Sequence, residues 1–401
     1  MSEPNEFIPI AKPLLDSREA TASARAILSG WVTQGPLVAD FEKIFSDFTG
    51  APYACAVSSC TTALHIAFLA LGIGAGDEVI TVSHSFIATA NSIRYSDAKP
   101  VFIDITPETF NINPSLIEQA ITKKTKAILC VHQIGMPCDL EKIIEIAKKH
   151  SLKVIEDAAC AIGSEINYKG TWSKIGAPHG DIACFSFHPR KVITTGDGGM
   201  LTTRDEKLDK KFRLLRQHGM AVPDTKRHNA KEVIFETYDI LGYNYRMTDI
   251  QAAMGIEQVK RLPEIINKRR EIAERYLAAL NGIKKIILPK EPAWAKTNWQ
   301  SFCVRVPGLA QKPIMQYMLD QGIATRRGVM CAHLEEPYKQ TSACIINGNL
   351  YQSELAQKEG IIIPLYPQMT RKEEERVLSV FKSAINSTQK EKKINCSANI
   401  K

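Results

Sequence analysis

No run of about eighteen uncharged apolar residues occurs in this chain of 401 residues, so the sequence offers no membrane-spanning helix. The segment from Met1 to Ile10 has neither a basic start nor an apolar stretch of signal length, and the expected location is cytoplasmic. Ten cysteines are present, but no two of them form a CxxC pair; this argues against zinc and for reduced thiols. Internal repeats are absent as well, which excludes solenoid architectures.

The residues present are those of an ordinary folded protein, 44% apolar and 23% charged, with enough length for two domains and a buried core. The net charge of +8 raises the question of nucleic acid. Part of that excess lies in the segment 386–401, where four lysines face one glutamate, and this segment reads as a disordered polar tail. The rest reads as solvated surface rather than a nucleic-acid site, and it suits a small anionic substrate.

Asp16 to Glu19 has the spacing of a capping box and predicts a helix through Ile27, followed by a loop at Gly30 and Gly35. Apolar runs then recur at Glu78 to Val82, Pro100 to Ile103, Ala127 to Val131 and Lys153 to Glu156. Helix-like stretches separate them, at Thr61 to Leu71, Phe86 to Tyr95 and Leu140 to Lys149. This alternation predicts an α/β domain with a mostly parallel sheet, extended by Asp181 to Phe187 and Gly199 to Thr203. A long helix from Thr248 to Leu280, with Lys268, Arg269, Arg270 and Glu271 expected on its solvent side, reads as a connection to a smaller α+β unit. The expected division is a large domain over residues 1–255, a connection and small C-terminal domain over 256–385, and the tail over 386–401.

In such sheets ligands bind at the carboxyl ends of strands, and the chemistry-bearing residues stand at those ends. Asp157 closes one run and Lys191 follows another, Phe185-Ser186-Phe187, ahead of the turn Thr195-Gly196-Asp197-Gly198-Gly199. A carboxylate and an amine so placed fit pyridoxal phosphate, the acid facing the ring nitrogen and the amine the aldehyde. Such a lysine must be neutral part of the time, so a lowered pKa is expected for it. Ser58 to Leu64 sets small hydroxyl residues before a helix, where free N–H groups and the helix dipole favour a phosphate, with Thr61 as side-chain donor. Ser186 offers a second hydroxyl. Phe86, leaving a strand, offers a face for a flat ring. Taken singly, Phe86 reads first as core, Thr61 as part of a plain helix start, and Asp157 as a helix cap or salt-bridge partner.

Together these segments, with Gly242-Tyr243-Asn244-Tyr245-Arg246-Met247-Thr248-Asp249, resemble the DegT/DnrJ/EryC1/StrS family of sugar-nucleotide aminotransferases, in order over nearly the whole chain. The resemblance implies a type I pyridoxal-phosphate aminotransferase fold and a homodimer with active sites at the interface. It assigns Lys191 to the Schiff base, Asp157 to the pyridine nitrogen, Phe86 to stacking, and Thr61 with Ser186 to the phosphate. Asn244 matches the position that reaches the phosphate from the neighbouring subunit. Two positions depart from the family pattern. Cys60 stands where many members have Gly, and Cys160 where many have Gln or His against the cofactor's phenolic oxygen. A thiol is a weak donor there.

The resemblance further implies transfer of an amino group from L-glutamate to a nucleotide-linked keto-deoxysugar, expected to be a 4-keto-6-deoxyhexose, for polysaccharide or glycoconjugate synthesis. The segments Arg216 to Met220 and His132 to Gly135 look most like the 4-amino branch that includes perosamine synthases. Arg246, Arg326 and Arg327 are candidate partners for a substrate carboxylate or diphosphate. Two other readings stand beside this one. A sugar dehydratase of the same fold carries histidine in place of the Schiff-base lysine, so Lys191 weighs against it. A regulatory protein with a vestigial cofactor site would not need the intact Lys191 and Asp157 pair.

Overall fold

The computed structural model describes residues 6–222, 231–340 and 342–398, with side chains as far as Thr388. In chain order the strands are β1 (Tyr53–Val57), β2 (Glu78–Val82), β3 (Lys99–Ile103), β4 (Thr125–Val131), β5 (Lys153–Asp157), β6 (Glu165–Tyr168), β7 (Thr171–Lys174), β8 (Ile182–Ser186), β9 (Gly199–Thr203), β10 (Ala295–Lys296), β11 (Phe302–Arg305), β12 (Arg326–Arg327), β13 (Ile345–Ile346) and β14 (Gly360–Ile363).

An eight-stranded sheet runs in the order β1-β9-β8-β5-β4-β2-β3-β13. Only β9 opposes its neighbours; the other strands run in one direction. Both faces are covered, as parallel sheets require, and the two-residue repeat sorts the side chains. Ile80, Val82, Ile128 and Cys130 enter one core, whereas Val79, Ala127 and Leu129 enter the core on the other face. The same alternation acts on the run before Lys191. Phe185 and Phe187 are buried against Phe45 and Phe41, with ring centroids 5.0 and 5.2 Å apart. That leaves Ser186 facing the other way.

The helix Asp249–Leu280 joins two cores. Its first half contributes Ala252, Val259 and Leu262 to the large sheet's core, and its second half contributes Ile272, Tyr276 and Leu280 to a core built around β11, β14 and β12. Among its four charges expected in solvent, Arg269 is buried, with 2% of its surface exposed. Its guanidinium donates to the carbonyls of Trp299, Gln300 and Leu365, at 3.1, 3.3 and 3.2 Å. A helix wedged between two units has little outer face, and the arginine is used to satisfy loop carbonyls.

The expected division of the chain differs from the fold in three places. Ile8 pairs with Ile323 and lies in the small unit's core, whereas Ile10 and Leu14 pack against the large sheet's core, so the N-terminal segment is shared between the two units. In the other direction β13 returns from the C-terminal part of the chain to pair with β3, covered by Ala332, Tyr338, Cys344 and Leu350. The last helix, Arg371–Ala398, continues through most of the segment read as a disordered tail, since Gln389 to Lys393 are good helix formers and carry no Gly or Pro. Residues 399–401 lie outside the described residues.

Candidate active site

Five parallel strands end at one edge of the large sheet, and the segments leaving them enclose a cavity of about 400 Å³. Ser59 to Thr61 follow β1, Ser85 and Phe86 follow β2, His132 to Ile134 follow β4, Asp157 to Cys160 close β5, and Ser186 to Lys191 follow β8. Arg326 to Met330 form the wall supplied by the small unit. The structure thus brings together Lys191, Asp157, Phe86, Thr61, Cys60, Ser186 and Cys160 in one cavity. Asn244 is exposed and does not line it.

Asp157 is buried and fastened at both oxygens. Thr89 donates its hydroxyl to one at 2.7 Å, and the Ala159 N–H reaches the other at 3.2 Å. Thr89 in turn pairs with Ser85 at 2.7 Å. The sequence did not single out Thr89; its signal was position, one helical turn beyond Phe86. Phe86 itself leaves 59% of its surface uncovered, against the core reading that its residue type suggests.

The helix Cys60–Leu71 opens with Ser59 as its cap, and the Ser59 and Thr62 side chains bond each other's backbone N–H groups. That capping box uses two hydroxyls and leaves Thr61 to the cavity. Cys60 does not have a positive φ, so the thiol fits where many relatives have Gly. The close approach falls instead at Gly199, where an added Cβ would come 2.4 Å from the Ser59 carbonyl and 2.7 Å from the Cys60 nitrogen. The glycine therefore lets β9 lie against the helix start.

Lys191 donates to the Cys160 sulfur at 3.0 Å. Burial pulls its amine down, but the Cys160 sulfur and the Asp157 carboxylate outweigh burial, and the net direction is upward. The expected lowering is therefore not found for the lysine in this structure, because a sulfur and a carboxylate face its amine inside the cavity. Of the nine described cysteines, all free, Cys160 is the one not buried.

Arg190 and Arg326 line the same cavity, and neither has an acidic partner among the described residues. Burial pushes Arg326 down, and the cations of Arg190 and Arg327 add to that push. Arg327 lies 3.8 Å from Glu335. Two unpaired guanidinium groups held in one recess form a site for an anion. Arg190 was missed in the sequence because it precedes the lysine in a loop whose direction the strand pattern does not fix. His188 also lines the cavity and accepts the Arg190 N–H at 3.2 Å, whereas His218 and Arg246 do not line it.

A ring-shaped, phosphorylated cofactor fits these residues. A buried acid, an amine, an uncovered aromatic face and a helix start converge on one cavity at the sheet edge, which is the arrangement of a pyridoxal-phosphate enzyme of type I fold. The DegT/DnrJ/EryC1/StrS aminotransferase family matches residues 13–382, and the chain belongs to it. Pyridoxal phosphate is its cofactor. The spore coat polysaccharide biosynthesis protein SpsC of Bacillus subtilis is 36% identical over 386 residues, covering 95% of this chain and 98% of SpsC. Among solved structures, a putative sugar aminotransferase of Streptococcus pneumoniae in its PMP form superposes with a TM-score of 0.88 at 27% identity, covering 95% of this chain and all (100%) of that one. PseC of Helicobacter pylori, an aminotransferase involved in the biosynthesis of pseudoaminic acid, superposes with a TM-score of 0.87 at 26% identity, covering 95% and 100%.

Proposed function

We propose that the protein transfers the amino group of L-glutamate to the ketone of a nucleotide-linked keto-deoxysugar, a 4-keto-6-deoxyhexose, for polysaccharide or glycoconjugate synthesis. The observation that carries this reading is the placement of Lys191 and Asp157 in one cavity with the unpaired Arg190 and Arg326. Sugar transamination is also what SpsC-like and PseC-like relatives support.

When bound, pyridoxal phosphate supplies an aldehyde that takes up amines and a ring that accepts an electron pair. Asp157, fixed by Thr89, would hold the ring nitrogen through its carboxylate. Phe86 would cover one face of the ring, and Thr61, Ser186 and the helix start at Cys60 would hold the phosphate. Lys191 Nζ would take the proton from the carbon on one side of the amino nitrogen and return it to the carbon on the other side. A ring N–H on Asp157 would offset one of the influences that keep the lysine protonated, the others being Cys160 and Cys60, so loading the site would favour the neutral amine. Cys160 would face the phenolic oxygen, beside the lysine. Arg190, Arg326 and Arg327 would attract the glutamate carboxylate or the sugar's diphosphate.

Asn244 would act on a neighbouring subunit's phosphate. Its exposure supports a homodimer, as do exposed apolar side chains in the stretch of chain before it, with Val233, Phe235 and Leu241 exposed by 85%, 87% and 84%. The test of function is a screen of keto-sugar nucleotides with glutamate, reading 2-oxoglutarate release and product mass. Borohydride reduction of the loaded protein should fix the cofactor on Lys191. Turnover of free keto acids without any nucleotide sugar would remove the sugar assignment.

A further inference from the structure

Ile134 occupies a backbone conformation that its side chain opposes. Its φ of 49° and ψ of 21° fall in the left-handed region, where a β-branched residue crowds the following carbonyl. The turn cannot relax, because both flanks are fastened. Before it, the Gln133 N–H donates to Asn111 Oδ1 at 2.9 Å, and the Gln133 side chain donates to the His84 carbonyl. After it, the Gly135 carbonyl accepts from Ser164 Oγ at 2.7 Å. Gly135 has a φ of 101°, and an added Cβ there would lie 2.1 Å from Asn298 Oδ1. Asn111 also donates to the Met136 and Pro137 carbonyls, at 3.0 and 2.7 Å.

What the conformation achieves is the position of the side chain. Ile134 lines the cavity together with Phe86, Val329 and Met330, an apolar wall beside the charged residues of the site. Asn or Gly would satisfy the backbone better at this position, so backbone preference does not account for a branched aliphatic residue. Part of the side chain packs against the large core, and a ligand with one apolar edge accounts for the part that faces the cavity. We infer that Ile134 is a specificity-determining residue that receives the deoxy carbon of the sugar. The inference rests on the sugar-nucleotide reading above and deepens it. An apolar pocket of this kind distinguishes small changes in a ligand by about 10–200-fold.

The test compares the loaded wild-type protein with Ile134→Asn and Ile134→Leu. Calorimetry would measure binding of paired probes, dTDP-6-deoxyglucose against dTDP-glucose and GDP-6-deoxymannose against GDP-mannose. The wild type should favour the deoxy member of the pair it binds by about tenfold or more, and Ile134→Leu should keep most of that ratio. Ile134→Asn should bring the ratio close to one while raising Tm by about 1–3 °C as the backbone strain is released. An unchanged ratio in Ile134→Asn would overturn this inference alone, and so would a fall in its Tm, which would mark Ile134 as ordinary packing. Failure of the wild type to bind any of the probes would overturn the sugar reading and the inference with it.

Discussion

The amine of Lys191 points at the sulfur of Cys160 across 3.0 Å, and that contact opposes the effect of burial on the lysine. Removing the sulfur leaves burial with less to oppose it. Cys160→Ala should therefore lower the pH at which Lys191 becomes reactive. Acylation of the cofactor-free protein across a pH series, with Lys191 followed by peptide mass spectrometry, reads this directly. A profile that moves upward or not at all would mean that the contact does not govern the amine.

Thr89 holds one oxygen of Asp157 in a buried place. Thr89→Val keeps the shape and deletes the hydroxyl, which costs about 1–3 kcal/mol when the carboxylate loses its partner. Pyridoxal phosphate should bind about tenfold more weakly or worse, as measured by absorbance titration. Thr89→Ser should restore most of the affinity.

Glu42 is buried between two arginines. It pairs with Arg216 in a very short contact and with Arg213 at 2.7 Å, and it accepts the Ala56 N–H at 2.9 Å. Burial alone would raise its pKa, but Arg216 and Arg213 outweigh burial and hold it below the usual glutamate value of 4.5. A carboxylate whose pKa is lower in the folded chain stabilises the fold above the unfolded value. That stabilisation disappears as pH falls below about 4.5. Glu42→Gln should flatten this acid limb in a series of melting curves, and Glu42→Ala should cost about 3–5 kcal/mol by stranding Arg216.

A homodimer with shared sites predicts complementation between two inactive chains. Lys191→Ala alone should lose about 10²-fold activity or more, and Asn244→Ala should weaken phosphate binding. Mixed dimers unfolded and refolded together should regain activity, because one of their two sites has both an intact lysine and an intact asparagine. Absence of any regain would place Asn244 outside the neighbouring site.

Much of the site was legible in the sequence because strand ends are legible. The runs Lys153 to Glu156 and Asp181 to Phe187 are apolar and then break, and β5 and β8 end within one residue of those breaks. The capping box at Asp16 and Glu19 also formed as its spacing predicts, since it depends on residues three apart. Arg269 was misread because a charge at a helical position gives no sign of which neighbours will pack over it. β1 and the helix Pro36–Thr49 went unread, although the helix places Phe41 and Phe45 beneath the run leading to Lys191.

The sequence by itself determined the alternation of strands and helices, the placement of Asp157 and Lys191 at strand ends, and the family, since all three depend on local order along the chain. Only the tertiary structure decided that Thr89 locks Asp157, that Cys160 meets Lys191, that Arg190 and Arg326 share a cavity in which neither forms an ion pair with a described residue, and that Ile134 is held in a strained turn. Each of these contacts joins segments whose relative placement is set by sheet order and core packing, and no spacing along the chain encodes it.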